Sequence, residues 1–152
     1  MHSQTEILLI DDDPADVELA LHALRENNLG NHVQVLRDGE EALNYLFPDG
    51  DVPLAARKIP KLILLDLKLP KVDGIEVLRR IKNDPVTKAI PVVILTSSKE
   101  GRDMVRGYEL GVNSYIQKPV DFDQFRAIVK QVGLYWLVIN QPSPVPLEMV
   151  LA

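Results

Sequence analysis

An α/β fold built on a parallel sheet is predicted by the order of apolar and amphipathic stretches along the chain. Five short, strongly apolar stretches, typical of buried strands, alternate with five amphipathic stretches typical of helices. Four of the predicted strands end in an acid, a hydroxyl or an amine. The 152 residues are enough for one domain with a proper hydrophobic core.

The predicted elements follow one another in strict order. Strands are expected near residues 6–10, 33–37, 62–66, 91–96 and 114–117. Helices are expected near residues 14–27, 39–46, 74–83 and 102–110, with a longer last helix that begins at Asp121 or Phe122. The first helix has a clear start signal, because Asp13 is a good N-cap and Pro14 suits the first helical position. Residues 47–60, which contain several prolines, form the one long internal loop.

This alternation favours the flavodoxin-like, doubly wound arrangement with strand order 2-1-3-4-5 and five flanking helices. In that order the first and third strands are neighbours, and the carboxyl ends of parallel strands lie at one edge of the sheet. Asp11 and Asp12 follow the first strand, and Asp66 follows the third. We therefore expect these three carboxylates to meet at that edge.

Asp66 is the most informative residue, because it interrupts a run (Leu62 to Leu67) that otherwise reads as a strand buried on both faces. An ionised carboxylate there needs a cation or strong donors, since the loss of its hydration is costly. Carboxylates at Asp11, Asp12 and Asp66 would also repel each other unless a cation neutralised them. Oxygen ligands without Cys or His select a hard ion such as Mg²⁺, which can bridge to a phosphoryl group.

Two further strand ends complete the predicted chemistry. Thr96 follows one apolar strand and Lys118 follows another. A hydroxyl and an amine at the same edge could contact the oxygens of a phosphoryl group held on Asp66, which is the positioning and charge stabilisation that phosphoryl transfer requires.

With these residues in place, the chain resembles the receiver domains of two-component response regulators. The resemblance covers Glu6 to Val132 and rests on a linked set of motifs rather than on one. The motifs are Leu8–Asp13, Leu64–Pro70 followed by Asp73–Gly74, Pro91–Ser97 and Tyr115–Pro119.

The resemblance implies that Asp66 accepts a phosphoryl group from the histidine of a sensor kinase, with Mg²⁺ as the cofactor. Asp12 and Asp66 would bind Mg²⁺ directly, and Asp11 would contribute, often through water. The backbone carbonyl of Lys68 would complete the protein ligands. The protein would signal in this way rather than turn over a small substrate as an enzyme, although it would assist its own phosphorylation and dephosphorylation.

The resemblance also implies a conformational switch. Thr96 and Lys118 would be the pair that contacts the phosphoryl group, and the ring of Tyr115 would turn inward when Thr96 moves. The Lys118–Pro119 peptide would be cis, a geometry that is essentially confined to proline.

Lys68 and Ser98 are expected to tune the lifetime of the phosphoryl group. Lys68 lies two residues after the acceptor and Ser98 lies two residues after the threonine, so that both would flank the path of an attacking water.

Each of these residues has a plainer alternative. Adjacent aspartates before a helix usually cap it and complement its dipole, and Asp13 is expected to do so here. Thr96 alone would be an ordinary strand threonine, Lys118 a solvated amine and Tyr115 a packing aromatic. Their joint occurrence at matching strand ends favours the functional interpretation.

Bulk composition mainly excludes other classes of protein. The net charge of −5 provides no basic surface for nucleic acid. The absence of cysteine excludes a disulfide framework and thiolate metal sites. No signal pattern and no apolar run near the ~20 residues of a membrane helix is found, so we expect a soluble, cytoplasmic protein that binds no membrane.

The end of the chain differs from a minimal receiver. We expect residues 1–132 to form the receiver domain and residues 133–152 to form the end of the last helix and an extended, proline-rich apolar arm, with no room for an output domain. Such an arm should pack on something, either its own domain or a second protomer, and we favour a homodimer. The residues expected at the contact are Leu134, Tyr135, Trp136, Leu137 and Ile139.

A narrower resemblance concerns the kinase. The tail, residues 44–46 and the long loop are similar to the single-domain regulators that serve phytochrome-type photoreceptor kinases. This implies a light-regulated histidine kinase as the phosphodonor.

Three other functions compete with this interpretation. A phosphatase of the haloacid dehalogenase type would need an acid where this chain has Lys68, and a flavin carrier would need a phosphate-cradling loop where it has acids. A pseudo-receiver that binds proteins without being phosphorylated is the remaining alternative, although it would normally lack one of Asp66, Asp12, Thr96 or Lys118.

Overall fold

Five strands and five helices alternate along the chain in the computed structural model, which describes residues 5–29, 32–49, 57–98, 100–119 and 121–144. The strands are β1 (Ile7–Ile10), β2 (Val33–Leu36), β3 (Leu62–Leu65), β4 (Val92–Thr96) and β5 (Ser114–Gln117). The helices are α1 (Pro14–Glu26), α2 (Gly39–Leu46), α3 (Gly74–Lys82), α4 (Gly101–Glu109) and α5 (Phe122–Leu134).

The predicted boundaries of strands and helices are confirmed to within one residue. Two short helical turns were not predicted: a 3₁₀ turn at Thr87–Ala89 and a π turn at Tyr135–Ile139 that continues α5. The predicted long loop lies partly outside the described residues, and its described residues, 47–49 and 57–60, belong to no helix or strand. The Asp13 cap is confirmed, since its carboxylate accepts from the backbone N–H groups of Ala15 and Asp16 at 2.9 and 3.2 Å.

The sheet is entirely parallel and has the order β2-β1-β3-β4-β5, as the sequence predicts. Its register decides which side chains meet at the carboxyl edge. Ile10 pairs with Leu65, so that the next residues on these strands, Asp11 and Asp66, emerge side by side.

The helices cover both faces of the sheet. Strand residues alternate between the two faces, with Leu9 and Leu64 packed against α1 and α5. Leu8 and Ile63 belong to the other core, which α2 and α3 cover. None of the described helices is long and apolar enough to cross a bilayer.

One glycine lets α3 begin directly against the end of β3. A Cβ on Gly74 would lie 2.5 Å from the carbonyl oxygen of Asp66 and 2.5 Å from the Cα of Leu67, a distance at which the backbone would have to move. Glycine at this position therefore fixes the spacing between α3 and the loop that carries Asp66.

Candidate phosphoacceptor and metal site

Asp66 lies directly after β3 with only 5% of its surface exposed. Its carboxylate accepts hydrogen bonds from the Thr96 hydroxyl at 2.8 Å, the Lys118 ammonium at 3.0 Å and the backbone N–H of Lys68 at 3.2 Å. These donors replace lost hydration, which explains how an acid is tolerated at the end of a buried strand.

Lys118 is the cation at the centre of the site. Its ammonium group donates to Oδ2 of Asp11 and of Asp16 at 2.8 Å each, besides Oδ2 of Asp66. The structure therefore brings together four of the predicted residues: Asp11, Asp66, Thr96 and Lys118. The Lys118–Pro119 peptide is trans, so the prediction of a cis bond is wrong; trans is the lower-energy isomer of X–Pro bonds, and β5 delivers Lys118 to the carboxylates without the cis form.

Burial and ion pairing act in opposite directions on these groups. Burial raises the pKa of Asp11 to about 6, although the hydrogen bond from Lys118 lowers it. Burial also works to lower the pKa of Lys118, but the hydrogen bonds to Asp11 and Asp16 outweigh it and hold that pKa above its ordinary range. At neutral pH both groups are charged, and the ammonium serves as the internal counterion of the site.

Asp11, Asp12 and Asp66 together form a possible metal site. Each offers a carboxylate oxygen, and these oxygens lie within 4.8 Å of one another. Asp11 and Asp66 are buried, whereas Asp12 is exposed on the solvent side of the cluster, called the mouth of the site. An all-oxygen set of three acids with an open side fits a hard divalent cation such as Mg²⁺.

A chain of contacts leads from Thr96 to α4. The backbone N–H of Ser98 donates to the Thr96 hydroxyl at 3.3 Å, and the Ser98 hydroxyl donates to the Asp103 carboxylate at 2.6 Å. The Tyr115 hydroxyl donates to the carbonyl oxygen of Ser98 at 3.5 Å, a long hydrogen bond. Burial raises the pKa of Tyr115, which therefore remains a neutral donor. Thr96, Ser98 and Tyr115 are thus physically linked.

Lys68 and the residues after α5 are the remaining predicted residues. The Lys68 side chain is exposed, while its backbone N–H contacts Asp66. At the end of α5, Trp136 and Leu137 pack against the core of their own chain, and Leu134 is half-buried. Tyr135 and Ile139 are exposed. Packing on its own domain, one of the two alternatives for this segment, therefore holds for Trp136 and Leu137.

Two residues of the site were missed from the sequence. Asp16 looked like an ordinary first-turn acid of α1, and its contact with Lys118 joins residues 102 positions apart. Asp103 looked like a first-turn acid of α4. First-turn acids are common because they complement the helix dipole, so that neither position stands out in the sequence.

Known proteins are similar to this chain in sequence. A family model described as the response regulator receiver domain matches residues 7–130. The probable methanogenesis regulatory protein FilR2 of Methanothrix harundinacea is 42% identical over 141 residues, which are 92% of this chain and 88% of the relative. Response regulator Rcp1 of Synechocystis sp. is 40% identical over 131 residues, with 86% and 88% of the two chains covered.

Solved structures agree with this assignment. The phosphorylated cyanobacterial phytochrome response regulator RcpA matches with a TM-score of 0.83 at 42% identity, over 93% of this chain and 99% of that one. The Mn²⁺-bound form of response regulator Rcp1 matches with a TM-score of 0.83 at 37% identity, over 92% and 99%. The fold, the carboxylate cluster and the family match agree, and the chain belongs to the family of response regulator receiver domains.

Proposed function

We propose that this protein is a phosphoacceptor switch of a two-component system, in which Asp66 accepts a phosphoryl group from a sensor histidine kinase. The observation that carries the proposal is the environment of Asp66, a buried carboxylate that accepts hydrogen bonds from the Thr96 hydroxyl and the Lys118 ammonium. The presence of Asp12, Asp66, Thr96 and Lys118 together argues against the pseudo-receiver alternative.

In the transfer, a carboxylate oxygen of Asp66 forms a bond to phosphorus as the nitrogen–phosphorus bond of the kinase phosphohistidine breaks. The electron pair of that bond leaves with the histidine nitrogen. Thr96 and Lys118 already donate to Asp66. Each would therefore need only a small rotation to donate to an added phosphoryl oxygen. Donors held in place before the reaction stabilise developing charge without reorganisation.

Asp11, Asp12 and Asp66 would hold Mg²⁺ beside the acceptor, with the backbone carbonyl of Lys68 as a fourth protein ligand. The ion would neutralise the charge that accumulates on the carboxylate and the phosphoryl oxygens. The Mn²⁺-bound structure of Rcp1 supports a divalent cation in this family.

The switch would start at Thr96. A hydroxyl that turns toward the phosphoryl group would pull the backbone of Ser98, to which Tyr115 also donates. Tyr115 would then lose its tether and turn inward, and the Ser98–Asp103 contact would carry the change to the start of α4. Phosphorylation has only to bias an equilibrium between two states of these contacts. Lys68 at the exposed mouth and buried Ser98 would set how easily water reaches the phosphoryl group.

The same proposal includes a homodimer formed through α5 and the segment after it. Tyr135, Val138 and Ile139 are apolar or aromatic residues exposed on one short stretch of chain, which supports an interface there. Trp136 and Leu137 would support this surface from behind rather than contact a partner.

For the phosphodonor, we propose a phytochrome-type histidine kinase in the cytoplasm. The support is the match to RcpA, a phytochrome response regulator. Phosphotransfer to this protein from a phosphorylated phytochrome kinase, compared with a kinase of another sensor class, would test this part.

The first experiment is intact-mass measurement after incubation with acetyl phosphate and Mg²⁺. We expect the wild type to gain one phosphoryl group, and Asp66→Asn or removal of Mg²⁺ with EDTA to abolish the gain. Asp73→Asn is the matched control, because it makes the same change at an exposed acid in the loop between β3 and α3. A gain in Asp66→Asn equal to that of the wild type would refute the proposal.

A further inference from the structure

Asp16 is a third carboxylate on Lys118 that the proposed chemistry does not use. Its Oδ2 lies 2.8 Å from the Lys118 ammonium, as close as Oδ2 of Asp11. The contact lies in a largely buried place, since 7% of the Lys118 side chain and 24% of the Asp16 side chain are exposed. A charge pair of this length and burial contributes more than an exposed surface pair.

The rest of the site creates a conflict that Asp16 can resolve. Lys118 donates to Oδ2 of Asp11 and Oδ2 of Asp66, and the same two carboxylates belong to the possible metal site. A divalent cation there would meet an ammonium group already bound to its ligands, and two cations repel each other at such short range. Lys118 therefore has to release at least part of these contacts when a metal binds.

Asp16 lies outside the metal cluster but within reach of Lys118. The clustered oxygens come from Asp11, Asp12 and Asp66. Asp16 is placed by the first turn of α1, where its backbone N–H donates to the Asp13 cap at 3.2 Å. It thus offers Lys118 a charged partner that does not compete for the ion.

We propose that Asp16 is a positioning residue for the metal-loaded site, which keeps the Lys118 ammonium paired when Asp11 and Asp66 turn to the cation. The inference rests on the proposed function, because it takes the Asp11–Asp12–Asp66 cluster to be the Mg²⁺ site. Asp16 would act through Lys118 and would contact neither Mg²⁺ nor the phosphoryl group.

The test is Mg²⁺ binding alone, measured by calorimetry with MgCl₂ in the absence of a phosphodonor. We expect Asp16→Asn to weaken Mg²⁺ binding about tenfold, the lower end of what residues that orient a metal site usually contribute. Asp16→Glu should recover most of the affinity. Glu18→Gln, which removes an exposed acid from the same helix, should leave the affinity nearly unchanged.

Lys118→Met separates positioning from simple charge. With the ammonium absent, Asp16→Asn should weaken Mg²⁺ binding by less than about threefold, because only a screened long-range charge effect remains. The same tenfold loss in the Lys118→Met background would overturn the inference, as would equal affinities of Asp16→Asn and wild type. Failure of the wild type to bind Mg²⁺ at all would instead overturn the proposed function, and this inference with it.

Discussion

The carboxyl edge of the sheet buries charged side chains, whereas the end of α5 exposes apolar ones. Both arrangements run against the usual preference of these residue types for water or for the core. At the edge, the charged side chain of Lys118 is 7% exposed, and three carboxylates surround it. At the end of α5, Val138 and Ile139 are apolar, yet they are 63% and 64% exposed. Buried charges are tolerated where opposite charges of the same chain meet them. Exposed apolar surface has no such compensation within the described part of the chain, which supports a partner at that end.

The largest effect is expected from removing the cation of the edge. Lys118→Met would leave buried carboxylates without a counterion and should lower the free energy of unfolding by about 3 kcal/mol in EDTA. Mg²⁺ should restore part of the loss, because it binds the folded state. Urea denaturation with and without Mg²⁺ measures both. Lys130→Met, at an exposed position of α5, is the control. An unfolding midpoint in EDTA equal to that of the wild type would show that the edge does not depend on its ammonium group.

The next prediction concerns two different roles of residues at the end of α5, packing on the core of the same chain and contact with a second protomer. Trp136→Ala should destabilise the fold by about 2 kcal/mol, because the half-buried ring packs on the core of its own chain. Ile139→Ser should change stability by less than about 0.5 kcal/mol but should weaken the dimer. Urea denaturation and sedimentation velocity on both variants distinguish these effects. A wild type that remains monomeric at high concentration would end the dimer proposal, while leaving the Trp136 prediction intact.

A smaller effect follows from the raised pKa of Asp11. Since that pKa is about 6, Mg²⁺ has to displace a proton from Asp11 in more acidic solution. The apparent Mg²⁺ affinity should fall about tenfold for each pH unit below that value. Calorimetric titrations at pH 7 and pH 5 would measure it, and Asp11→Asn should lose this pH dependence. A flat profile for the wild type would place the metal away from Asp11.

The metal-free protein should respond to pH with the opposite sign. The folded-state pKa of Asp11, about 6, stands above the ordinary value of 3.8, so that the folded state binds more protons between these two values. The cost of burying the ionised Asp11 should therefore be relieved as the pH falls through this window, so that the free energy of unfolding rises. Comparing the unfolding midpoints of wild type and Asp11→Asn in EDTA isolates the contribution of Asp11.

The smallest effect concerns the link from the edge to α4. Ser98→Ala removes the hydrogen bond to Asp103 and should lower stability by about 1 kcal/mol. Amide hydrogen exchange at residues 101–104 should become faster, because the first turn of α4 loses its tie to β4. Ser97→Ala, which changes the exposed neighbour, should alter neither quantity. Unchanged exchange in Ser98→Ala would remove this contact from the proposed switch.

Much of the site could be predicted because it combines two local signals. Asp66 and Lys118 each follow a recognisable strand, and the parallel topology brings such strand ends together. Asp16 was missed because its partner is 102 positions away and a first-turn acid already has a local explanation. The cis prediction for Lys118–Pro119 was wrong, since no local feature of the sequence distinguishes the two isomers.

The amino-acid sequence was enough to predict the element boundaries, the order of the strands and the identity of the groups at the carboxyl edge. The boundaries depend on periodicity and capping, and the strand order follows from the strict alternation of strands and helices. The burial of Asp11 beside an exposed Asp12, and the partial burial of Trp136 near an exposed Ile139, became visible in the folded chain alone. Residues that lie close together in the sequence carry similar local signals. Whether each one is buried or exposed depends on packing against elements that are distant in the sequence.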